Sequence, residues 1–425
     1  MIQSTSPLIA LRYRNYRLLW FGQVVSFSGS MMQNAAILWH VSLLVPEDTK
    51  ALALGLVGLV RVLPIIIFSL VGGVVADAIN RRKLMLLTQS AMTVTAAVLA
   101  FLTFRGLTAA WPLFLLTALT ASAGSFDNPA RQSLIPNLVP REYLPNAISL
   151  NSIMFQIASV TGPALGGLLI GTVNIGWVYA LNAVSYLAVI GALLLMRDVP
   201  ATVGGGRQNI SLAAAVEGLR FVFRAPLIRS TMLLDFFANF FASAIALLPI
   251  FAQDILHVGA QGYGWLYAAP SLGAMLASLV MVRQADRTQR RGLVLLWAVV
   301  VYSLSTIGFG LSRSFWLSFL CLALFGAADM VSTVFRNIIR QLTTPDHLRG
   351  RMTSVNMIFF MGGPQLGELE AGLVANTFGA PISVISGGVG ALLATLWINT
   401  TTPSLRQHRR DDPAVALQPQ AVPAD

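Results

Sequence analysis

Apolar residues run along this chain in long unbroken blocks, most of about 20 residues, separated by short polar or Gly/Pro-containing breaks. A helix crossing a bilayer needs roughly 20 apolar residues, whereas a barrel strand needs roughly 10 with strict alternation. The blocks do not alternate, so the pattern predicts twelve spanning helices, over 18–45, 51–76, 84–104, 112–128, 146–170 and 176–196, then 227–255, 262–281, 293–311, 315–335, 352–375 and 382–398. Short Gly/Pro turns between several of them imply adjacent antiparallel helices. The longest interruption falls near the middle and divides six spans from six. The expected plan is therefore a segment 1–17, a first half 18–197, a linker 198–226, a second half 227–400 and a tail 401–425. Gly204 to Gly206 has the chemistry of a flexible linker, and 211–224 can form an amphipathic helix on the membrane surface. The polar, Pro/Ala-rich tail is expected to be disordered.

Composition agrees with that pattern. The chain is 56% hydrophobic and only 11% charged, against roughly a quarter charged in a soluble domain. The fold class expected is an all-α integral membrane protein. A net charge of +11 would suggest nucleic acid, but the bases lie at the ends of spans. All but four of the 28 Lys and Arg fall on the face that carries both termini; Lys50, Arg105 and Arg313 fall on the other, and Arg61 lies inside a span. Such an excess puts both termini in the cytoplasm, so the charge is topological and a nucleic-acid partner is not expected. Residues 1–17 are polar and basic and the first apolar run is too long for a signal peptide, so no cleavable leader is expected. The single cysteine, Cys321, can form no intrachain disulfide. No phosphate loop, metal-ligand cluster or nucleophilic triad is recognisable; primary pumping, enzymatic activity and a cofactor are not expected.

The two halves repeat one another. Asp77-x3-Arg81-Arg82 recurs as Asp286-x3-Arg290-Arg291, each after the second span of its half. Arg131-x8-Pro140-x10-Asn151 recurs as Arg336-x8-Pro345-x10-Asn356, and Gly162-Pro163-x2-Gly166 as Gly363-Pro364-x2-Gly367. Three spacings in the same order indicate a duplicated six-helix unit, the plan of transporters that bind substrate at the midplane between two halves.

These residues resemble the major facilitator superfamily. Its signature between the second and third helices matches Gly73, Asp77, Arg81 and Arg82, with Asn80 where the family has a second glycine; Asn tolerates left-handed backbone angles. The stretch Gly162-Pro163-Ala-Leu-Gly166-Gly167 resembles the signature of the superfamily's antiporters. Leu11 to Gln23, Asp127 to Gln132 and Pro145 to Asn151 resemble the branch of enterobactin (catecholate siderophore) exporters and related drug-efflux proteins. The resemblance covers about 11–400. It implies twelve helices in two pseudo-symmetric halves and secondary active efflux of an amphipathic small molecule by alternating access, with proton antiport. It also implies that Asp77 caps the eleventh helix and that Asp127 accepts Arg81; a local Asp127–Arg131 pair is the alternative. A lysophospholipid flippase on the same fold, or a non-transporting sensor or scaffold, are the rival functions. The protein is expected to be a monomer in the lipid bilayer.

Ionisable groups inside spans are expensive and functional by default. Arg61 stands 16 residues from Asp77, about 24 Å along a helix, and Glu368 lies at about the same depth on the eleventh span, measured from Arg351. Since the resemblance makes those helices neighbours, Arg61 is expected to pair with Glu368, or secondarily with Glu370, across the two halves. The remaining substrate or proton candidates are Asp235, which could simply reach the membrane boundary, and Asp329. His40 and the tryptophans, Trp39 among them, are expected at the membrane interfaces. The Gly162-Pro163 helix is expected to be kinked and closely packed.

Overall fold

The computed structural model describes residues 8–78, 80–197, 219–345 and 348–410, with the side chains at 69–78, 350, 351, 354, 358 and 361 left aside. The described residues form twelve long helices and no strand. The first half comprises α1 (Arg14–Leu44), α2 (Lys50–Ala78), α3 (Arg81–Phe104), α4 (Trp111–Leu134), α5 (Leu144–Thr172) and α6 (Ile175–Leu195). The second comprises α7 (Pro226–Phe241), α8 (Gly259–Gln284), α9 (Arg291–Leu311), α10 (Phe315–Thr343), α11 (Arg349–Phe378) and α12 (Ala380–Thr401). Nine segments among the described residues are long and apolar enough to cross a membrane by composition alone. The three helices left over, α1, α4 and α11, are those diluted by Gln, Asn, Asp and Glu. Their polarity faces the interior, as described below.

Packing repeats as the sequence does. Within the first half α1 packs on α5 and α6, α3 on α4 and α6, and α2 on α4; within the second α7 packs on α11 and α12, α9 on α10 and α12, and α8 on α10. Between halves the same exchange appears twice, α2 against α11 and α5 against α8. Twelve antiparallel crossings bring both described chain ends to one face, here called the terminal side.

Several boundaries depart from the hydropathy pattern. The seventh span stays helical only to Phe241, then continues as a 3-10 turn (Ala244–Leu247), a single turn (Leu248–Ile250) and a π turn (Phe251–Ile255). Pro249 has no N–H for the Ile245 carbonyl, which weakens a regular ladder there. Helices α4 and α10 run about two turns past the expected 128 and 335, because polar residues facing a protein interior do not end a helix. Asn80 does not use left-handed angles: with φ −56 it N-caps α3, accepting from the Arg82 and Lys83 amides at 3.0 and 3.3 Å. The tail expected to be disordered from 401 is folded to Arg410. Helix α13 (Pro403–Gln407) buries Leu405 against Gly292, whose amide donates to the His408 carbonyl. Of the expected linker helix only 219–224 is described, and there Phe221 and Val222 pack into the protein against Met232 and Met352.

Candidate functional site

Pairs of glycines join the halves. On α5, a Cβ on Gly167 would stand 2.6 Å from the Gly264 Cα of α8, and on α2 a Cβ on Gly55 would stand 2.9 Å from the Gly372 Cα of α11. The two crossings are pseudo-symmetric: Gly55 and Gly264 each lie five residues into their helices, Gly167 and Gly372 each twenty-three. Both occur on the side away from the termini. There the halves share one apolar core, in which Trp39 and Ala51 meet Leu247, Phe251 and Tyr263. Trp39, expected at a membrane interface, is instead buried, with its ring 5.0 Å from that of Tyr263, because two halves close over it. Polar contacts reinforce this closure. Tyr263 donates to the Ala35 carbonyl at 2.8 Å, Gln253 donates to Ser42 Oγ at 2.9 Å, and Lys50 reaches Asp254 at 3.4 Å. Lys50, read as an outer-face base, is buried between Asp254 and Glu47.

Arg61 and Glu368 flank the α2–α11 crossing. A Cβ on Gly58, one turn before Arg61, would stand 2.7 Å from Glu368 Oε2. No ion pair within 4 Å forms between them. Arg61 Nη2 donates to the Asn34 carbonyl at 3.3 Å, while Arg61 Nε and Glu368 Oε2 are buried without a partner. Glu370 makes no ion pair among the described residues.

The first half holds a polar cavity of about 240 Å³ between α1, α3, α4 and α6, lined by Gln23, Gln33, Gln89, Asp127, Arg131 and Tyr186 among others. Buried Asp127 neither pairs with Arg81 nor forms an ion pair with Arg131. Its Oδ1 accepts from Thr88 Oγ1 at 2.9 Å and Gln89 Nε2 at 3.0 Å, two donors from α3 that meet it in the interior. Arg81 Nη1 donates to the Ser133 carbonyl at 2.9 Å. Arg131 bonds Asn128 Oδ1 and stacks its guanidinium 4.4 Å over the Phe27 ring.

In the second half the chemistry differs. Asp235 on α7 bridges Arg336 at 2.9 Å and Arg340 at 3.6 Å, and Asp329 reaches Arg336 at 3.4 Å. Arg336, Arg340 and Asp235 are each at most 3% exposed. Two charges read from sequence as surface bases are therefore interior, and Asp235 does not reach the boundary; mutual neutralisation makes burial tolerable.

Comparison with known proteins agrees with this architecture. A family model described as "Transmembrane secretion effector" matches residues 5–422. The chain belongs to that family, within the major facilitator superfamily. It is 29% identical over 380 residues to the "Enterobactin exporter EntS" of Shigella boydii serotype 18, and 28% to that of Escherichia coli O1:K1, with 89% of this chain and 86% of each relative covered. Among solved structures it is similar to a bacterial homologue of the human lysosomal transporter Spinster in an inward-facing, unoccupied conformation (TM-score 0.71, 16% identity, 93% and 99% covered). It is also similar to a POT family transporter in complex with 5-aminolevulinic acid (TM-score 0.74, 13% identity, 92% and 96% covered). The protein is a multi-pass membrane transporter with the major facilitator fold.

Within that fold the sequence candidates separate into groups. Gly162 and Gly166 take α1 at close range, through Ser28, Met31 and Met32, and Gly167 makes the crossing between halves. Pro163 lies inside α5, its carbonyl 2.7 Å from where a Gly264 Cβ would be. Asp127 and Arg131 share the cavity; Asp235 and Asp329 share the Arg336 cluster; Arg61 and Glu368 share the interface. Gly73 lies in α2, and the capping of α11 by Asp77 falls outside the described side chains. Arg82 donates to the Leu194 carbonyl at 3.3 Å, whereas Asp286 and Arg290 are exposed in the α8–α9 turn. Sequence reasoning used Arg336 only to mark the repeat, although Asp329 and Arg336 lie seven residues apart on one helical face. It also gave no site role to Gln23, Gln33 and Gln89, whose neutral amides carry no charge to flag them. His40, read as interfacial, is buried with Nδ1 3.1 Å from Tyr179 Oη.

Proposed function

We propose that this transporter exports an amphipathic organic molecule, of siderophore or drug-like size, from the cytoplasm in exchange for protons. The observation that carries the reading is the closure of the halves on the side away from the termini. The basic excess of the terminal side marks it as cytoplasmic, so a bundle sealed at its other end is poised to load from within. The charged end of the polar cavity, Asp127 and Arg131, lies toward that loading side on α4. The relatives named as enterobactin exporters support the substrate class. Glu368 is the proposed proton carrier: it is buried, faces Arg61 across the moving interface, and has an unpartnered oxygen. Protonating it removes its attraction for Arg61 and eases separation of α2 from α11.

Inverted membrane vesicles loaded against a panel of siderophores and drugs test the proposal, with and without a proton gradient. Gradient-driven accumulation is expected, and Glu368→Gln is expected to uncouple it, lowering gradient-driven accumulation at least 10-fold while downhill exchange continues. Uptake into intact cells driven by the same gradient would reverse the direction, and gradient-independent movement of lysophospholipid would replace it with lipid flipping.

A further inference from the structure

Equivalent helix pairings and glycine contacts set the two halves in register. Gly162, eighteen residues into α5, meets Ser28 and Met31 on α1, and Gly367, eighteen residues into α11, meets Phe240 and Ser243 on α7, so the structural equivalence lies one turn off the Gly-Pro repeat. The shift that takes Ser28 to Phe240 takes Gln23 to Asp235. The shift that takes Arg131 to Arg336 takes Gly124 to Asp329. Both carboxylates that neutralise Arg336 are thus replaced in the first half, one by a neutral amide and one by a glycine. Gln23 and Gly124 both line the cavity that holds Arg131.

Arg131 consequently lacks what Arg336 has. Its contacts are Asn128 and the face of Phe27, with no carboxylate within 4 Å. Gln23 is 3% exposed with Nε2 unpartnered, and Gln89 is 5% exposed with Oε1 unpartnered. The nearest acid, Asp127, corresponds to Ser332 and is engaged by Thr88 and Gln89 on α3, so it tempers the Arg131 field without occupying it. A cation with spare guanidinium donors, a free amide donor and aromatic walls from Phe27 and Tyr186 form a receptor for a flat acidic group. At about 240 Å³ the cavity is smaller than the roughly 300–1,000 Å³ of whole-ligand sites, so it takes one arm of a larger molecule.

We infer that the first-half cavity binds a planar aromatic group carrying an acidic oxygen, a carboxylate or phenolate, which supplies to Arg131 the counter-charge that Asp235 and Asp329 supply to Arg336. This rests on the transport reading above and names the part of the substrate that the first half recognises.

Titration of the purified full-length protein with salicylate, and with neutral salicylamide of the same shape, tests it by calorimetry. Salicylate is expected to bind wild type with a Kd on the order of 1 mM, as suits a ten-atom fragment, and salicylamide at least 10-fold more weakly. Arg131→Gln is expected to weaken salicylate binding at least 10-fold. Gln23→Asp is expected to do the same while retaining the size-exclusion profile, since it rebuilds the second-half ion pair in the first; Gly124→Asp is the substitute if it misfolds. No saturable salicylate binding, equal binding of acid and amide, or wild-type affinity in Arg131→Gln would each overturn the inference. Vesicle export separates the two ideas. Export indifferent to Arg131→Gln leaves the transport reading standing and removes this site. Arg131-dependent salicylate binding without export of any solute leaves the site and removes the export reading.

Discussion

Asp235 shows what one buried carboxylate does here. It holds two arginines on a neighbouring helix, and all three side chains are all but excluded from solvent. Removing one member of such a cluster strands the others, at about 3–5 kcal/mol, whereas replacing a whole buried pair by apolar groups is often neutral. Asp235→Asn is therefore expected to lower the melting temperature of the purified protein clearly. A smaller loss is expected from the triple replacement Asp235→Leu, Arg336→Met and Arg340→Met, which removes both buried arginines with their shared carboxylate. If the single and triple variants melted alike, the cluster would not behave as a closed ion-pair network. Asn80 makes a smaller contribution: its side chain accepts two amides at the start of α3, and Asn80→Ala is expected to cost about 1 kcal/mol. Neither role was open to sequence reading. Asp235 could equally have reached the membrane boundary, and Asn80 stood where the family has glycine.

At the scale of the helix, the glycines decide how α5 meets α8 and α2 meets α11. Small residues let backbones approach and gain van der Waals contact where lipid provides no hydrophobic drive. Any Cβ at Gly167 would come within 2.6 Å of backbone on α8, and a backbone cannot yield as a side-chain tip can. Gly167→Leu is expected to prop the far side open. Accessibility of a cysteine at position 260 to a membrane-impermeant thiol reagent checks this, with Cys321 replaced by Ala. Labelling should rise several-fold over the same cysteine without the Gly167 change; unchanged labelling would mean the crossing adjusts elsewhere. The glycine spacing was visible on α5 in the sequence. Its partner Gly264 was not, since only the crossing itself selects it among several α8 glycines.

For the whole molecule, the proposed export cycle requires that the far-side closure break and reform. Ser42 and Gln253, hydrogen-bonded across the halves, offer a reversible lock. In a background with Cys321 replaced by Ala, Ser42→Cys with Gln253→Cys is expected to cross-link under oxidation. Transport should fall at least 10-fold and return on reduction. Full transport by the cross-linked protein would mean that the halves do not separate there. The pseudo-symmetric packing also explains why one half can specialise. Both halves keep the arginine on the fourth helix of the unit, but only the second retains its two neutralising acids.

Local information was enough for the helix count, the duplication and the superfamily signature. Each depends on residues near in sequence: a run of apolar side chains long enough for a bilayer, a repeated spacing, a short motif. Arg61 and Glu368 were also placed on one interface, their depths by the helical rise and their neighbouring helices by the resemblance, although the ion pair expected between them does not form within 4 Å. Tertiary structure decided the rest. It turned Asp127 onto Thr88 and Gln89 rather than onto Arg81, paired Asp235 with an arginine 101 residues away, and left Arg131 facing a cavity. The physical reason is that a buried charge is neutralised by whatever helix packs beside it. That choice depends on the rotation and crossing of helices, which a hydropathy pattern does not encode.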